Sequence, residues 1–312
     1  MAKYVFGVDI GGTTVKLGLF DVDGSVLDKW EIPTRIENSG VNILPDIADS
    51  VRDKMTEKSI SKEDVAGVGV GAPGPVDSTG FIHKAVNLGW GEMNLKKEVS
   101  VLLDGMRVEG GNDANVAALG EMWKGGGQGY QNLVAVTLGT GVGGGIIING
   151  RILTGATGSG GEIGHIHVED HETEACGCGN HGCLEEYASA TGIVRLANRK
   201  LQSSDKDSVL RQGGVSAKTV FDAVKAKDTL AIEIAEQFGD YLGKGLAVIA
   251  SVINPEIFVI GGGVSKAGEV LFEYIRPSFD RTVFHGSRST KFALATLGND
   301  AGIYGAAKML LD

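Results

Sequence analysis

Phe6–Leu27 reads FGVDIGGTTVKLGLFDVDGSVL, and Val134–Leu153 reads VAVTLGTGVGGGIIINGRIL. Each is an apolar run, a Gly-rich turn, a second apolar run, a tight Asp-Gly or Asn-Gly turn, and the start of a third run. That pattern predicts strand, turn, strand, turn, strand. Gly11 and Gly139 hold the same place in the two stretches, 128 residues apart, which points to internal duplication of one α/β unit. Outward from the first copy, Ile43, Ile47, Val51 and Met55 have helical spacing and predict a helix within Val41–Lys58. A buried strand follows over Val65–Val70, then a helix capped by Asn94 and running through Leu103, a strand over Met106–Glu109, and a helix from Asn112-Asp113 to Lys124. Outward from the second copy, Glu185–Leu201 reads as one helical region, Ser216 and Asp228 as caps of two more helices, and Glu256–Ile260 as a buried strand. A helix from Lys266, a strand over Phe292–Leu297 and a helix ending at Leu310 complete the chain. The fold class is α/β, with mixed sheets covered by helices.

The 312 residues suffice for about two domains of ordinary size. Glycine stands out: 49 of the 312 residues, against an average near ~7 per cent. These glycines have no collagen period and gather at the ends of apolar runs, as in ligand loops built from backbone. A net charge of −10 repels nucleic acid and anionic membrane. The apolar run at the N-terminus is too short for a signal peptide, and Leu246–Ile260 is broken by Asn254-Pro255 and cannot span a bilayer.

All three cysteines and four of the six histidines fall in Gly161–Glu185, GEIGHIHVEDHETEACGCGNHGCLE. Three thiols (Cys176, Cys178, Cys183) and one histidine make a complete ligand set for tetrahedral structural zinc. Glycines between the cysteines allow the backbone angles that turn neighbouring sulfurs toward one ion. Cysteines reserved for metal indicate a reducing, cytoplasmic location. Glu162 and Glu185 are the charged residues that flank this box.

Three Gly-rich loops can bind phosphate or a flat ring. Asp9-Ile10-Gly11-Gly12-Thr13-Thr14-Val15-Lys16 can form an anion-binding nest, with Asp9 at a strand end where it can hold a magnesium-bound water. Gly139-Thr140-Gly141-Val142-Gly143-Gly144 spells G-x-G-x-x-G, but a strand rather than a helix follows, so a dinucleotide fold is rejected and phosphate binding by a hairpin kept. Gly261-Gly262-Gly263 lies between a strand and a helix. Together the loops suggest one nucleoside triphosphate held between two domains. Asn112-Asp113 is open to two readings, a helix N-cap or a carboxylate that orients and deprotonates an attacking hydroxyl.

DIGGTTVK, GNDANVAALGE, VTLGTGVGGG, GEIGH, CGCGNHGCLE and NPEIFVIGGGVS, in that order, resemble the ROK family of sugar kinases and repressors. Within the family the likeness is greatest to the bacterial ATP-dependent glucokinases. The resemblance implies an actin-like/RNase H-like duplicated fold, with two domains and the ATP and sugar cleft between them. It assigns residues 1–111 and 299–312 to a small domain and 112–298 to a large one carrying the zinc loop, 161–185. It also implies ATP with Mg2+ as cofactor, structural Zn2+, glucose or a related hexose as substrate, and a homodimer.

Carried over by motif, Asp113 would be the general base on the sugar 6-hydroxyl and Asn112 a sugar donor. Glu162, His165 and Glu185 would bind the remaining hydroxyls, with Gly71 and Asn87 in loops that reach the sugar. His165, Cys176, Cys178 and Cys183 would hold zinc. Asp9, Gly11, Gly12, Thr13, Lys16, Gly139, Thr140 and Gly141 would surround phosphates and magnesium, and Gly262 and Gly263 the adenosine. His167, two residues after His165, would share its face on a strand, which leaves the fourth zinc ligand open between them. Repressors of the family carry a helix-turn-helix before the first Gly motif, and a first strand at Lys3 leaves no room for one.

Overall fold

The computed structural model describes residues 2–311; Met1 and Asp312, outer bounds of the small domain expected above, lie outside the described residues. In chain order the elements are β1 (Tyr4–Ile10), β2 (Thr14–Asp21), β3 (Val26–Pro33), α1 (Glu37–Gly40), α2 (Ile43–Glu57), β4 (Val65–Ala72), β5 (Phe81–Ile82), β6 (Met93–Asn94), α3 (Leu95–Leu102), β7 (Val108–Asn112) and α4 (Asp113–Lys124). Then come β8 (Leu133–Leu138), β9 (Val142–Ile148), β10 (Arg151–Ile152), α5 (Glu185–Ala188), α6 (Ala190–Ser203), α7 (Ala217–Lys225), α8 (Thr229–Ile253), β11 (Ile257–Gly261), α9 (Val270–Thr282), β12 (Lys291–Leu294) and α10 (Ala301–Lys308). No helix among the described residues is long and apolar enough to cross a membrane.

The chain forms two compact units, Met1–Gln131 with Gly145–Gly161 and Leu297–Asp312, and Asn132–Gly144 with Glu162–Thr296. The first contains a sheet of order β3-β2-β1-β4-β7, in which β1 pairs antiparallel with β2 and parallel with β4. Because side chains alternate along a strand, β1 serves two cores. Phe6, Val8 and Ile10 pack with Ile43, Ile47 and Val51 of α2, while Val5 packs with Phe20 and with Ile303, Ala307 and Leu310 around α10.

Helix α4, which follows the boundary expected at residue 111, lies in the first unit. The cause is close helix packing: a Cβ at Gly305 of α10 would stand 1.7 Å from the Val116 carbonyl oxygen of α4, and one at Gly120 would stand 2.2 Å from that of Ala301. Only glycine lets the two backbones approach so far. Residues 145–161 also belong to the first unit, where a Cβ at Gly145 would meet Ala118 and Ala114 of α4.

In the second unit β8, β11 and β12 run parallel, with Ile257 opposite both Leu133 and Lys291. Helix α8 is 25 residues long, and Asp228 caps it by accepting the Ala231 N–H. Helix α7 opens with a full capping box of Ser216 and Thr219. Two expectations shift. The region Glu185–Leu201 is two helices, because Ser189 leaves the helix (ψ 173°) and caps α6 by accepting from the Gly192 N–H. The helix expected from Lys266 begins at Val270, after a 3-10 turn over Val264–Ala267 and a left-handed Gly268 (φ 88°).

Candidate active site

In the first unit the site grows from the end of β1. Asp9 stands opposite Lys16 on β2 and Gly71 on β4. A Cβ on Gly71 would lie 3.7 Å from Asp9 Oδ1, and one on Gly302, at the start of α10, only 2.4 Å from Oδ2. Burial, and then the negative charge of Asp113, push the Asp9 carboxyl up to about 6, with Lys16 opposing the shift. Lys16 is partly spent elsewhere, since its Nζ donates to the Asn299 carbonyl at 2.9 Å. The turn after β1 is closed by the Gly11 N–H donating to Thr14 O and by Thr34 Oγ1 donating to Gly11 O at 2.7 Å. Gly12 and Thr13 complete it, and a Cβ at Gly12 would meet nothing within 4 Å.

Of the two readings of Asn112-Asp113, the cap is seen, at Asn112. Asn112 is the cap, its Oδ1 accepting the Asn115 N–H at 3.1 Å. Its Nδ2 donates to Gly74 O at 3.1 Å and to Asp113 Oδ1 at 3.0 Å. Asp113 is therefore the first helical residue of α4, with its carboxylate steered by the capping side chain and by the Ala114 N–H at 2.8 Å. Asn87 lies exposed on the 3-10 turn Val86–Leu88.

In the second unit the ligand atoms of His165, Cys176, Cys178 and Cys183 lie within 4.8 Å of one another. Cys178 and Cys183 sulfurs are 3.6 Å apart, close to the roughly 3.8 Å edge of a tetrahedron with zinc–sulfur bonds of about 2.3 Å. This arrangement fits one tetrahedral ion. Glu185 adjoins it, with Oε1 3.1 Å from Cys176 Sγ and 3.8 Å from His165 Nδ1; its Oε2 accepts the Val142 N–H at 3.4 Å. Glu162 is exposed just before the 3-10 turn Ile163–His165.

His167 does not share the face of His165. His165 ends a 3-10 turn, and only beyond it does the chain extend, with His167 paired to Cys183; the His167 ring lies between Asp170 Oδ1 at 2.8 Å and the His181 carbonyl at 3.0 Å. The Asp170 contact raises its pKa.

The turn of Gly139, Thr140 and Gly141 is pinned by the start of α6: the Ala190 N–H donates to Gly139 O at 2.8 Å, and Thr191 Oγ1 to Thr140 O at 2.6 Å. Gly262 is required by its backbone, with φ 83° and a notional Cβ 2.5 Å from Leu138 O. Gly263 lines a cavity of about 160 Å³ with Val264, Lys266, Ala217, Lys218 and Phe221.

Residues 5–312 match the ROK family. The chain belongs to this family. A glucokinase of Halalkalibacterium halodurans is 44% identical over 316 residues, covering 97% of this chain and 93% of that protein. The crystal structure of a ROK family glucokinase from Streptomyces griseus in complex with glucose and AMPPNP is 35% identical, with a TM-score of 0.72 and 98% of each chain covered. The ROK hexokinase of Thermus thermophilus aligns at a TM-score of 0.81 and 32% identity, over 97% of this chain and 96% of that one. The fold is accordingly the actin-like, duplicated α/β fold of ROK sugar kinases.

Against this ROK frame, Asp9, Gly11, Gly12, Thr13, Lys16, Gly71, Asn87, Asn112 and Asp113 sit in the first unit. Glu162, His165, Glu185, the cysteines and the Gly139 and Gly262 turns sit in the second. Sequence reasoning missed Thr191, which fixes the Gly139 turn, and the α7 side chains Lys218 and Phe221 beside Gly263. Phe221 looked like any apolar position of an amphipathic helix, so no local signal marked it.

Proposed function

We propose that this chain is a glucokinase, transferring the γ-phosphate of ATP to the 6-hydroxyl of glucose. The full-length likeness to glucokinases carries the reading. Asp113 aligns the 6-hydroxyl and takes its proton; phosphoryl transfer passes through a loose transition state, so a positioned, weakly basic carboxylate is sufficient. Asn112 fixes that carboxylate and keeps one Oδ1 lone pair with which to accept from the sugar, while Glu162, His165 and Glu185 bind other hydroxyls. Gly71 and Asn87 border the sugar. The turns at Gly11–Thr13 and Gly139–Gly141, with Lys16, hold the phosphates through backbone N–H groups and one ammonium. Gly262 and Gly263 border the adenosine, and the cavity lined by Phe221 gives its ring an apolar wall.

Asp9 is largely buried, feels the negative charge of Asp113, and has Lys16 as its opposing charge; a buried carboxylate under that repulsion suits a divalent cation. Mg2+ bound with ATP supplies charge neutralisation on the phosphates. Zn2+, held by His165, Cys176, Cys178 and Cys183, supplies a structural tie and no chemistry. One ring nitrogen of His165 then serves the metal and the other is left for the sugar, so ligation fixes the ring for substrate. A cytoplasmic homodimer completes the proposal; the three free cysteines, grouped as ligands, suit a reducing compartment.

Coupled ADP-release assays across a panel of glucose, mannose, fructose and N-acetylmannosamine test the substrate, and light scattering tests the dimer. Asp113→Asn should lower kcat by at least about a hundredfold with glucose binding retained. Near-normal kcat in that variant would sink the role of Asp113. Preferred turnover of another hexose would move the assignment within the enzyme class.

A further inference from the structure

Behind the Cys/His box, on the side of α6 and α8, the same loop carries a second anchoring system. Glu172 is only 4% exposed at its side chain. It accepts from Tyr187 Oη at 2.5 Å and from Arg199 Nη1 at 3.0 Å and Nη2 at 3.2 Å. The Arg199 guanidinium, first among several donors, holds the Glu172 carboxyl far below the usual carboxylate range. Arg195 of α6 faces three carboxylates from the loop and its exit: Glu172 at 2.7 Å, Glu174 at 3.1 Å and Glu186 at 2.5 Å. Its Nη1 donates to Glu186. Its Nη2 is near Glu172 but off the hydrogen-bond line, and neither Nη2 nor Nε has a hydrogen-bond partner among the described residues. The contact to Glu172 is therefore an ion pair. Tyr187 stacks on Tyr241 at 4.1 Å, and Tyr241 Oη donates to Glu169 at 2.9 Å.

We propose that Arg195 is a positioning residue for Glu185, and through it for the sugar. This rests on the reading of Glu185 as a sugar ligand. Glu186, which Arg195 holds, is the neighbour of Glu185 on the one-turn helix α5. That helix is too short to hold its own geometry, so the direction of the Glu185 side chain depends on what grips the turn. On one side stand Cys183 and the ligand group; on the other stands Arg195. The arginine joins the loop before the cysteines (Glu172, Glu174) to the turn after them (Glu186), and so closes the segment independently of the metal. Breaking a buried pair on one side leaves its partners uncompensated; Tyr187 and Ala188 anchor the far end of the turn in the core, so the loss falls on the part-buried Glu186 and its neighbour Glu185.

The test compares wild type, Arg195→Met, Arg195→Lys and Glu172→Gln. Each is assayed for KM of glucose, KM of ATP, kcat, zinc content and glucose affinity by calorimetry without ATP. Arg195→Met should raise the glucose KM and weaken glucose binding by roughly tenfold or more, the scale seen when supporting contacts around a ligand are lost. The ATP KM should stay within about twofold and the zinc content should be unchanged. Arg195→Lys should recover part of the loss by keeping the charge without the planar fork. Glu172→Gln, which keeps the side-chain shape, supplies the same reading if Arg195→Met does not fold, with a smaller rise in glucose KM. Unchanged glucose affinity in folded variants overturns the proposal, as does a parallel rise of both KM values with a falling Tm. A wild type that binds glucose without phosphorylating it overturns the functional reading instead, and the calorimetric comparison still tests Arg195.

Discussion

Asp9→Asn tests the electrostatics from which the phosphate and metal roles at the end of β1 are argued. Burial and the charge of Asp113 raise the Asp9 pKa from 3.8 to about 6. At about 1.36 kcal/mol per unit, holding Asp9 ionised costs the ligand-free protein about 3 kcal/mol. The folded-state value lies above the unfolded one. The stabilising contribution is therefore fully present below the unfolded pKa of 3.8 and is lost as pH rises through about 6. Asn has the shape of the protonated carboxyl and never ionises.

In metal-free buffer at about pH 7.5, Asp9→Asn should resist urea better than wild type, by up to about 3 kcal/mol. The gap should close as pH falls below about 4. Its kinase activity should be lost, and wild-type activity should decline below about pH 6 as Asp9 takes up its proton. Urea titrations of both proteins at several pH values make the measurement. A stability difference independent of pH, or a variant less stable than wild type at neutral pH, would refute the argument that buried, under-compensated charge is stored there.

Cys178→Ser removes the exposed one of the three thiols, so core packing is spared; zinc content should fall and the glucose KM rise or activity vanish. A metal-free protein with unaltered sugar kinetics would reduce the box to scaffold. Gly305→Ala reverses the usual helix rule, under which Ala gains about 1 kcal/mol over Gly. The new Cβ would meet Val116 O at 1.7 Å and the Gly120 N at 2.9 Å, and overpacking of this kind costs about 1–3 kcal/mol. Thermal unfolding should show a lower Tm, and a higher one would mean that α4 and α10 are less tightly apposed than the structure has them.

Local chemistry was legible wherever one residue settles one backbone group. The Asp-Gly and Asn-Gly turns, and the caps Asn94, Ser216 and Asp228, stand where the sequence places them. Ser189 shows the limit, since a serine inside an apolar helical pattern is a cap only if the chain turns there. Lys266 is a second case, where Gly268 takes a left-handed angle that its identity permits but does not require. His165 and His167 are chemically alike and two positions apart, so the 3-10 turn that ends at His165, just before the chain extends, decides which joins the cysteines. The packing of α4 on α10 was not legible for a longer-range reason: Gly120 and Gly305 each read as a weak helix residue, and only their meeting explains both.

That meeting also bears on the chemistry. Helix α10 is pressed against β1 and β4 through Gly7 and Gly69, whose Cβ atoms would stand 2.0 and 1.8 Å from the carbonyl oxygens of Ile303 and Ala306. The same approach brings Gly302 over Asp9, where any side chain would displace the carboxylate. The close packing that makes α10 part of the first unit therefore also strips water from Asp9 and raises its pKa. Helix α4, locked to α10, delivers Asp113 from the other side and adds the second negative charge. Stability gained along the two helices is partly offset at the end of β1, where Asp9 is kept buried under the negative charge of Asp113. If Asp9 helps to hold Mg2+ and ATP as proposed, their arrival would relieve that cost, and substrate binding and release of stored electrostatic cost would be the same event.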